Sequence, residues 1–296
     1  MSNKKTILVT GSTGNIGKGV ALSLAKREVR VVLLGRKIET LESGANSIRR
    51  ALLAEKIGLI ESDIQTMIID FTDFDSVRKC ANDVLIRFPE IHGLVLSVGQ
   101  MVQKGPNILP NGHELMFATS VLGPFLFTQL LIDRLQQSDG IVVQVIAPFY
   151  KEMDWNDIES IKKHQTIDAY NRSKTCERVI IAELARRYSG KLTSIAFNPS
   201  FIIDKSDPAL KKRWPKGILG FLWWLFALID SKPPSVAGEP LADIILAHPY
   251  PDMNGALFKL NKRIKIPDKA MRDEQFGKRL WDVLIIMTGL IGTELL

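Results

Sequence analysis

Tyr170 and Lys174 stand four residues apart in Tyr170-Asn171-Arg172-Ser173-Lys174. That spacing puts both side chains on one face of a helix. A cation beside a phenol favours the phenolate and lowers its pKa, which suits proton exchange with a carbonyl oxygen. Far upstream, Thr10-Gly11-Ser12-Thr13-Gly14-Asn15-Ile16-Gly17 follows an apolar run and opens a helix-patterned one. Gly11 permits a tight turn, Gly17 permits close helix–sheet packing, and the helix N-terminus offers free N–H groups to a pyrophosphate. Gly11, Ser12, Thr13, Asn15, Ile16 and Gly17 are therefore candidate dinucleotide ligands. A second apolar run ends in Gly35-Arg36-Lys37. An acid at this place would bind the adenine ribose of NAD(H). Arg36 and Lys37 suit the 2′-phosphate of NADP(H) instead, so NADP(H) is expected over NAD(H). A third run ends in Ile69-Asp70-Phe71, with a carboxylate placed to reach an adenine amino group.

The elements that must position these residues alternate. Thr6–Val9, Val29–Leu34, Thr66–Ile69, Gly93–Leu96, Ile141–Ile146 and Leu192–Phe197 read as strands, near-continuously apolar rather than alternating, as strands buried on both faces are. Ile16–Lys26, Ile38–Lys56, Phe74–Arg87, Gly112–Leu135 and Asp168–Tyr188 read as helices. Such alternation predicts an α/β, Rossmann-type, doubly wound and mostly parallel sheet of about seven strands with helices on both faces. No linker or repeat divides the chain, so residues 1–296 are expected to form one domain. Within it, 201–232 is expected to be a substrate lid and 265–296 a C-terminal helical extension.

Together, the glycine loop and the tyrosine–lysine pair resemble the short-chain dehydrogenase/reductase family. The likeness extends to its retinol-dehydrogenase-like group. Gly112-His113-Glu114-Leu115-Met116-Phe117 and Leu122-Gly123-Pro124-Phe125-Leu126-Phe127-Thr128 are similar to that group's fourth-helix segment. Arg272-Asp273-Glu274, Arg279-Leu280-Trp281-Asp282-Val283 and Thr288-Gly289-Leu290 are similar to its closing helix. The resemblance implies Tyr170 as proton donor and Lys174 as the cation that lowers its pKa and binds the nicotinamide ribose. It also implies that Ser97, Gly99 and Pro199, with Tyr170 and Lys174, line the cofactor site.

This chain departs from the family pattern at several places. The family's serine after the fifth strand is missing: Val143-Gln144-Val145-Ile146-Ala147 has no hydroxyl there, and Ala147 takes the position. The family's asparagine is Ser120, carried here as a catalytic candidate behind Lys174. The asparagine-rich turn after the fourth strand is Leu96-Ser97-Val98-Gly99, a loop glycine is Asn15, and a Pro-Gly pair is Pro199-Ser200. Asn15 is a mild change because asparagine tolerates positive φ. The lost serine is not mild, since removing one donor to a developing oxyanion costs about 10²–10³ in rate. Tyr150, Ser120, Thr119 or Gln144 would have to supply a substitute, each having an ordinary structural role as its simpler reading.

Other features exclude more than they suggest. His92, His113, His164 and His248 are dispersed, and Cys80 and Cys176 are too few for a disulfide framework, so no metal site is expected. Asn171-Arg172-Ser173 matches a glycosylation sequon but overlaps the tyrosine–lysine helix. Lys plus Arg exceed Asp plus Glu by 39 − 32 = +7, but the cations are scattered, so no nucleic-acid partner is expected. The N-terminus lacks a signal-peptide pattern, and the expected location is cytoplasmic. Gly217–Ile229 is apolar, flanked by Lys211, Lys212, Arg213 and Lys216 and carries Trp223 and Trp224. It falls short of the roughly 20 residues a bilayer requires. A lid over an apolar pocket is its first reading, a peripheral membrane contact the second, and a homo-oligomer interface the third. The expected function is an NADP(H)-dependent oxidoreductase on an apolar carbonyl or alcohol. The alternative is a family member that binds a dinucleotide or apolar substrate without ordinary redox, as a cyclase- or isomerase-like enzyme or a nucleotide-binding scaffold.

Overall fold

Alternate strand residues face opposite layers: Ile7 and Val9 enter one core with Val31 and Leu33, while Leu8 enters the other with Val32 and Leu34. This is why the strands are apolar along their length. The computed structural model describes residues 4–58, 63–99, 105–203, 232–247, 251–265 and 269–290. In chain order the parallel strands and helices of the first half are β1 (Thr6–Thr10), α1 (Asn15–Ala25), β2 (Arg30–Gly35), α2 (Ile38–Ala54), β3 (Ile64–Ile68), α3 (Phe74–Arg87) and β4 (Gly93–Leu96). They are followed by α4 (Leu115–Phe117), a π-helical turn at Ala118–Leu122, α5 (Gly123–Gln137), β5 (Ile141–Val145), α6 (Thr166–Arg187) and β6 (Thr193–Asn198). The tail adds α7 (Ser235–Leu246), β7 (Leu257–Lys259), β8 (Lys262–Ile264), α8 (Lys269–Arg272) and α9 (Glu274–Thr288).

The sheet runs β3-β2-β1-β4-β5-β6-β7-β8, with all pairs parallel except the last. It is therefore the doubly wound α/β sheet expected, with eight strands rather than about seven. The additional strand is the antiparallel β8, which returns from β7 through a tight turn at Leu260, whose φ is +53°. The strand order reverses between β1 and β4, and ligands of open α/β sheets bind at the C-terminal ends of strands at such a point.

The expected continuous helix Gly112–Leu135 is broken. It begins at Leu115, capped by the Glu114 carboxylate accepting from the Phe117 N–H at 2.9 Å, and widens into the π turn around Ser120. The segment is buried nearly all round, so it has no apolar stripe whose phase the inserted residue could shift, and periodicity does not reveal the turn; such turns are frequent at functional sites. Leu115–Gln137 is the one helical stretch among the described residues long and apolar enough to cross a membrane, and 83% of its most apolar window is buried inside the protein. Its side chains pack on the sheet, with Phe125 edge-on to Trp281 of α9 at 5.0 Å.

The expected lid falls largely outside the described residues, Gly217–Ile229 entirely so. Its two ends are described and lie side by side: Ile203 N–H donates to Lys232 O and Lys232 N–H to Phe201 O. The C-terminal helices α8 and α9 occupy the extension expected from 265, and α9 packs against α6.

Candidate active site

The glycine loop leaves β1 beside the strand-order reversal. Gly11 has φ +61°, and a Cβ there would lie 2.8 Å from the Ser97 carbonyl oxygen at the end of β4. A Cβ on Gly17 would lie 2.4 Å from the Gly11 carbonyl oxygen, so the loop folds back directly onto the first turn of α1. Gly14 caps α1 with no side-chain hydrogen bond and no acid follows in the first turn. The N–H groups of the first turn, from Asn15, Ile16 and Gly17, are thus left for an external acceptor. Asn15 is helical rather than at positive φ, so its tolerance of left-handed backbone is not called upon. Its buried Oδ1 has no hydrogen-bond partner among the described residues.

The other expected cofactor contacts divide. Arg36 and Lys37 are exposed where β2 ends. The Ser12 hydroxyl donates to Leu34 O at 3.4 Å, tying the loop to β2, while Thr13 is half-buried in it. The Ser97 hydroxyl donates to Thr10 O at 2.5 Å, so it joins β4 to β1. Asp70 Oδ1 accepts from the N–H and hydroxyl of Thr72, leaving the other oxygen at the strand end. Phe71 does not offer its ring to a ligand: it is 3% exposed and packs against Phe127 at 6.1 Å, so only its backbone borders the site. Pro199 is buried after β6. The next residue, Ser200, stands at φ +64° with its hydroxyl buried and unpartnered among the described residues. Ser200→Gly is therefore expected to raise unfolding free energy by about 1 kcal/mol, readable as a higher denaturation midpoint.

Tyr170 and Lys174 both lie on α6, with Lys174 Nζ 5.4 Å from the Tyr170 ring centroid. The ammonium does pull the phenol pKa down, as expected from the spacing, but it does not set the net direction. Burial raises Tyr170 above its ordinary value; Lys174 pulls it down, Glu177 pushes it up, and the balance is upward. The largest cause is burial; a smaller upward push comes from Glu177, which the spacing alone does not reveal. Lys174 Nζ donates to Glu177 Oε1 at 2.5 Å, and the side chains are 6% and 1% exposed. Burial lowers the Lys174 pKa, but Glu177 and Tyr170 more than offset this and the ammonium is held charged. A Cβ on Gly99 would lie 3.2 Å from Nζ, so the chain after β4 passes over the lysine head.

Arg178, also missed, is 2% exposed; its guanidinium donates to Ala147 O at 2.6 Å and Phe149 O at 2.7 Å. It holds the strand-end loop so that the Phe149 ring lies 6.2 Å from that of Tyr170. The signal for both was an acid and a base set side by side in the otherwise apolar Cys176–Ile181 run. The substitutes considered for the missing serine point elsewhere. Thr119 Oγ1 donates to Leu115 O, Gln144 Nε2 donates to Val145 O, and Ser120 is 1% exposed beneath the site. Tyr150 is half-exposed on the loop after β5. Burial pushes the Cys80 thiol up to about 12 and raises Cys176 as well, so neither is a ready nucleophile. Among the described residues no group of His, Cys, Asp and Glu could hold a metal ion.

A nucleotide-ready loop at the reversal point and a tyrosine–lysine pair on the helix after β5 define a dinucleotide-dependent oxidoreductase of the doubly wound class. The short chain dehydrogenase family model matches residues 5–152, and the chain belongs to that family, within its retinol-dehydrogenase-like group. Retinol dehydrogenase 13 of Homo sapiens is 28% identical to it over 295 residues, which cover 97% of this chain and 85% of that protein. An uncharacterized protein from Mycobacterium paratuberculosis has the same fold, with a TM-score of 0.70 and 19% identity over 96% of this chain and 93% of its own. So does a short chain dehydrogenase from Shigella flexneri 2a complexed with NADP, with a TM-score of 0.62 and 20% identity over 88% of this chain and 98% of its own.

Proposed function

We propose that the protein is an NADP(H)-dependent oxidoreductase that acts on an apolar carbonyl or alcohol, with Tyr170 as the proton donor. The observation that carries this reading is the pairing of the uncapped α1 N-terminus with Tyr170 and Lys174 across the C-terminal edge of one sheet. The loop fits a dinucleotide: a Cβ at Gly11 or Gly17 would block the turn, and Asn15 Oδ1 has no partner of its own. Gly11 to Gly17 would hold the pyrophosphate and Arg36 and Lys37 the 2′-phosphate. When bound, the reduced nicotinamide supplies hydride to a carbonyl carbon. Tyr170 gives its hydroxyl proton to the carbonyl oxygen, and the exposed Phe149 beside it presents an apolar wall to the substrate. The retinol dehydrogenase relatives and the NADP-bound neighbour support this choice of substrate and coenzyme.

The test is calorimetry with NADPH and NADH, followed by NADPH consumption over a panel of apolar aldehydes and ketones. NADPH is expected to bind tighter and to be consumed; no heat with either coenzyme overturns the reading. Replacing both Arg36 and Lys37 by Ala is expected to lower the NADPH-to-NADH affinity ratio by about tenfold or more, since each charged hydrogen bond is worth about 1.5–3 kcal/mol. Ala147 favours a second reading, in which the pocket binds a dinucleotide or apolar substrate without redox. Tight NADPH binding with no consumption on any carbonyl would support it.

A further inference from the structure

Behind Lys174 the site closes onto a small internal cavity of about 10 Å³, close to the least space that holds one water molecule. Its walls include Leu96, Ser120, Thr128, Gln144, Glu177 and Ile180. Two buried polar atoms, Ser120 Oγ and Glu177 Oε2, belong to this lining and have no hydrogen-bond partner among the described residues. Gln144 Nε2 is turned to Leu96 O and Val145 O. Glu177 is thus a carboxylate with one oxygen on Lys174 and the other facing a pocket sized for a water that Ser120 could share. A buried ion pair arranged this way is costly to build and contributes little stability for its cost. Its position beneath the reacting phenol gives it a different use.

We propose that Glu177 is a positioning residue: it holds the Lys174 ammonium on a buried carboxylate, weakens that cation's pull on the Tyr170 phenol, and so keeps the hydroxyl protonated and ready to give its proton. This rests on the reading of Tyr170 as the proton donor. In reduction the Tyr170 O–H bond breaks and its proton passes to the carbonyl oxygen. The balancing hydride comes from the reduced dinucleotide, which is oxidised as the carbonyl becomes an alcohol. The opposite state, a phenolate, is favoured by a cation close to the ring. Lys174 is that cation, and Glu177 neutralises it at 2.5 Å. The charged or titratable neighbours on α6 are Tyr170, Lys174, Cys176 and Arg178. From the neighbouring elements the cavity receives Ser120, Thr128 and Gln144, none of which titrates in the relevant range. Phe149 and Gly99 complete the surroundings of the phenol and the ammonium without adding charge.

The experiment titrates Tyr170 directly in the full chain labelled with ¹³Cζ-tyrosine. The protein has four tyrosines, and Tyr170→Phe assigns the signal. Glu177→Gln keeps the shape and removes the charge, and should bring the Tyr170 midpoint down by about one pH unit or more. Glu177→Asp, which keeps the charge, should leave it close to the unaltered protein. With NADP(H) present, the basic limb of carbonyl reduction should move down with the midpoint in Glu177→Gln. An unchanged Tyr170 midpoint in Glu177→Gln overturns the proposal. If that variant does not fold, Glu177→Ser, which admits water beside the ammonium, takes its place with the same criterion. A protein that consumes no NADPH on any carbonyl sinks the redox reading instead, while the spectrum still decides what Glu177 does to Tyr170.

Discussion

Tyr170→Phe is expected to lower carbonyl turnover by about 10²–10⁴-fold, the usual contribution of a positioned general acid. Coenzyme affinity should stay nearly unchanged, because the ring that packs near Phe149 and under Lys174 is retained and only the hydroxyl is lost. The two quantities separate the proton from the scaffold: kcat on an apolar aldehyde reports the first and the NADPH dissociation constant the second. Burial and Glu177 together outweigh Lys174, so the phenol stays protonated through the neutral range. The loss should therefore appear across the whole neutral range in reduction, with no pH at which the variant recovers. Turnover within about tenfold of the unaltered protein would move the proton donor elsewhere, Tyr150 being an exposed hydroxyl on the loop after β5.

How much of this was legible in the residues depended on whether one side chain or two had to be considered at once. The six strands from β1 to β6 show themselves singly, because a strand covered on both faces is apolar along most of its length. The short pair β7 and β8 does not: Lys259, Lys262 and Arg263 sit on the sheet's edge, and three-residue strands are too short for alternation to register. The glycine loop was legible because the turn, the close approach and the free helix end each call for a particular residue type within eight positions. The π turn around Ser120 is not legible because the helix there is buried nearly all round and shows no apolar stripe to fall out of phase. The place of Phe71 after β3 points to the cofactor, while the size of its ring sends the side chain into the core. Lys174 was read for its distance from Tyr170 along the helix, and that distance is right. Its electrostatic effect could not be read so simply, because Glu177 acts only when all three groups are out of water together. A charge is cheap to ignore at a surface and decisive when buried.

Ala147→Ser is expected to raise the rate of carbonyl reduction by about 10²–10³, the reverse of what losing one oxyanion donor costs. The substitution restores a hydroxyl at the strand end where the family places one, on the same loop as Phe149, whose ring neighbours Tyr170. The backbone there is held by a contact the change does not touch, Arg178 donating to the carbonyl of residue 147 itself. Residue 147 is half-buried, so a serine hydroxyl can face the site without displacing the core. The comparison should be made at one NADPH concentration above the dissociation constants of both proteins, so that the gain is carried by kcat. A gain of this size would mean that the donor is the one component missing from an otherwise competent reductase. No gain, with NADPH bound equally well, would mean that the position is not short of a donor. The α6 ion pair and the closed cavity behind it would then have to be serving chemistry in which no carbonyl oxygen gathers charge beside Tyr170.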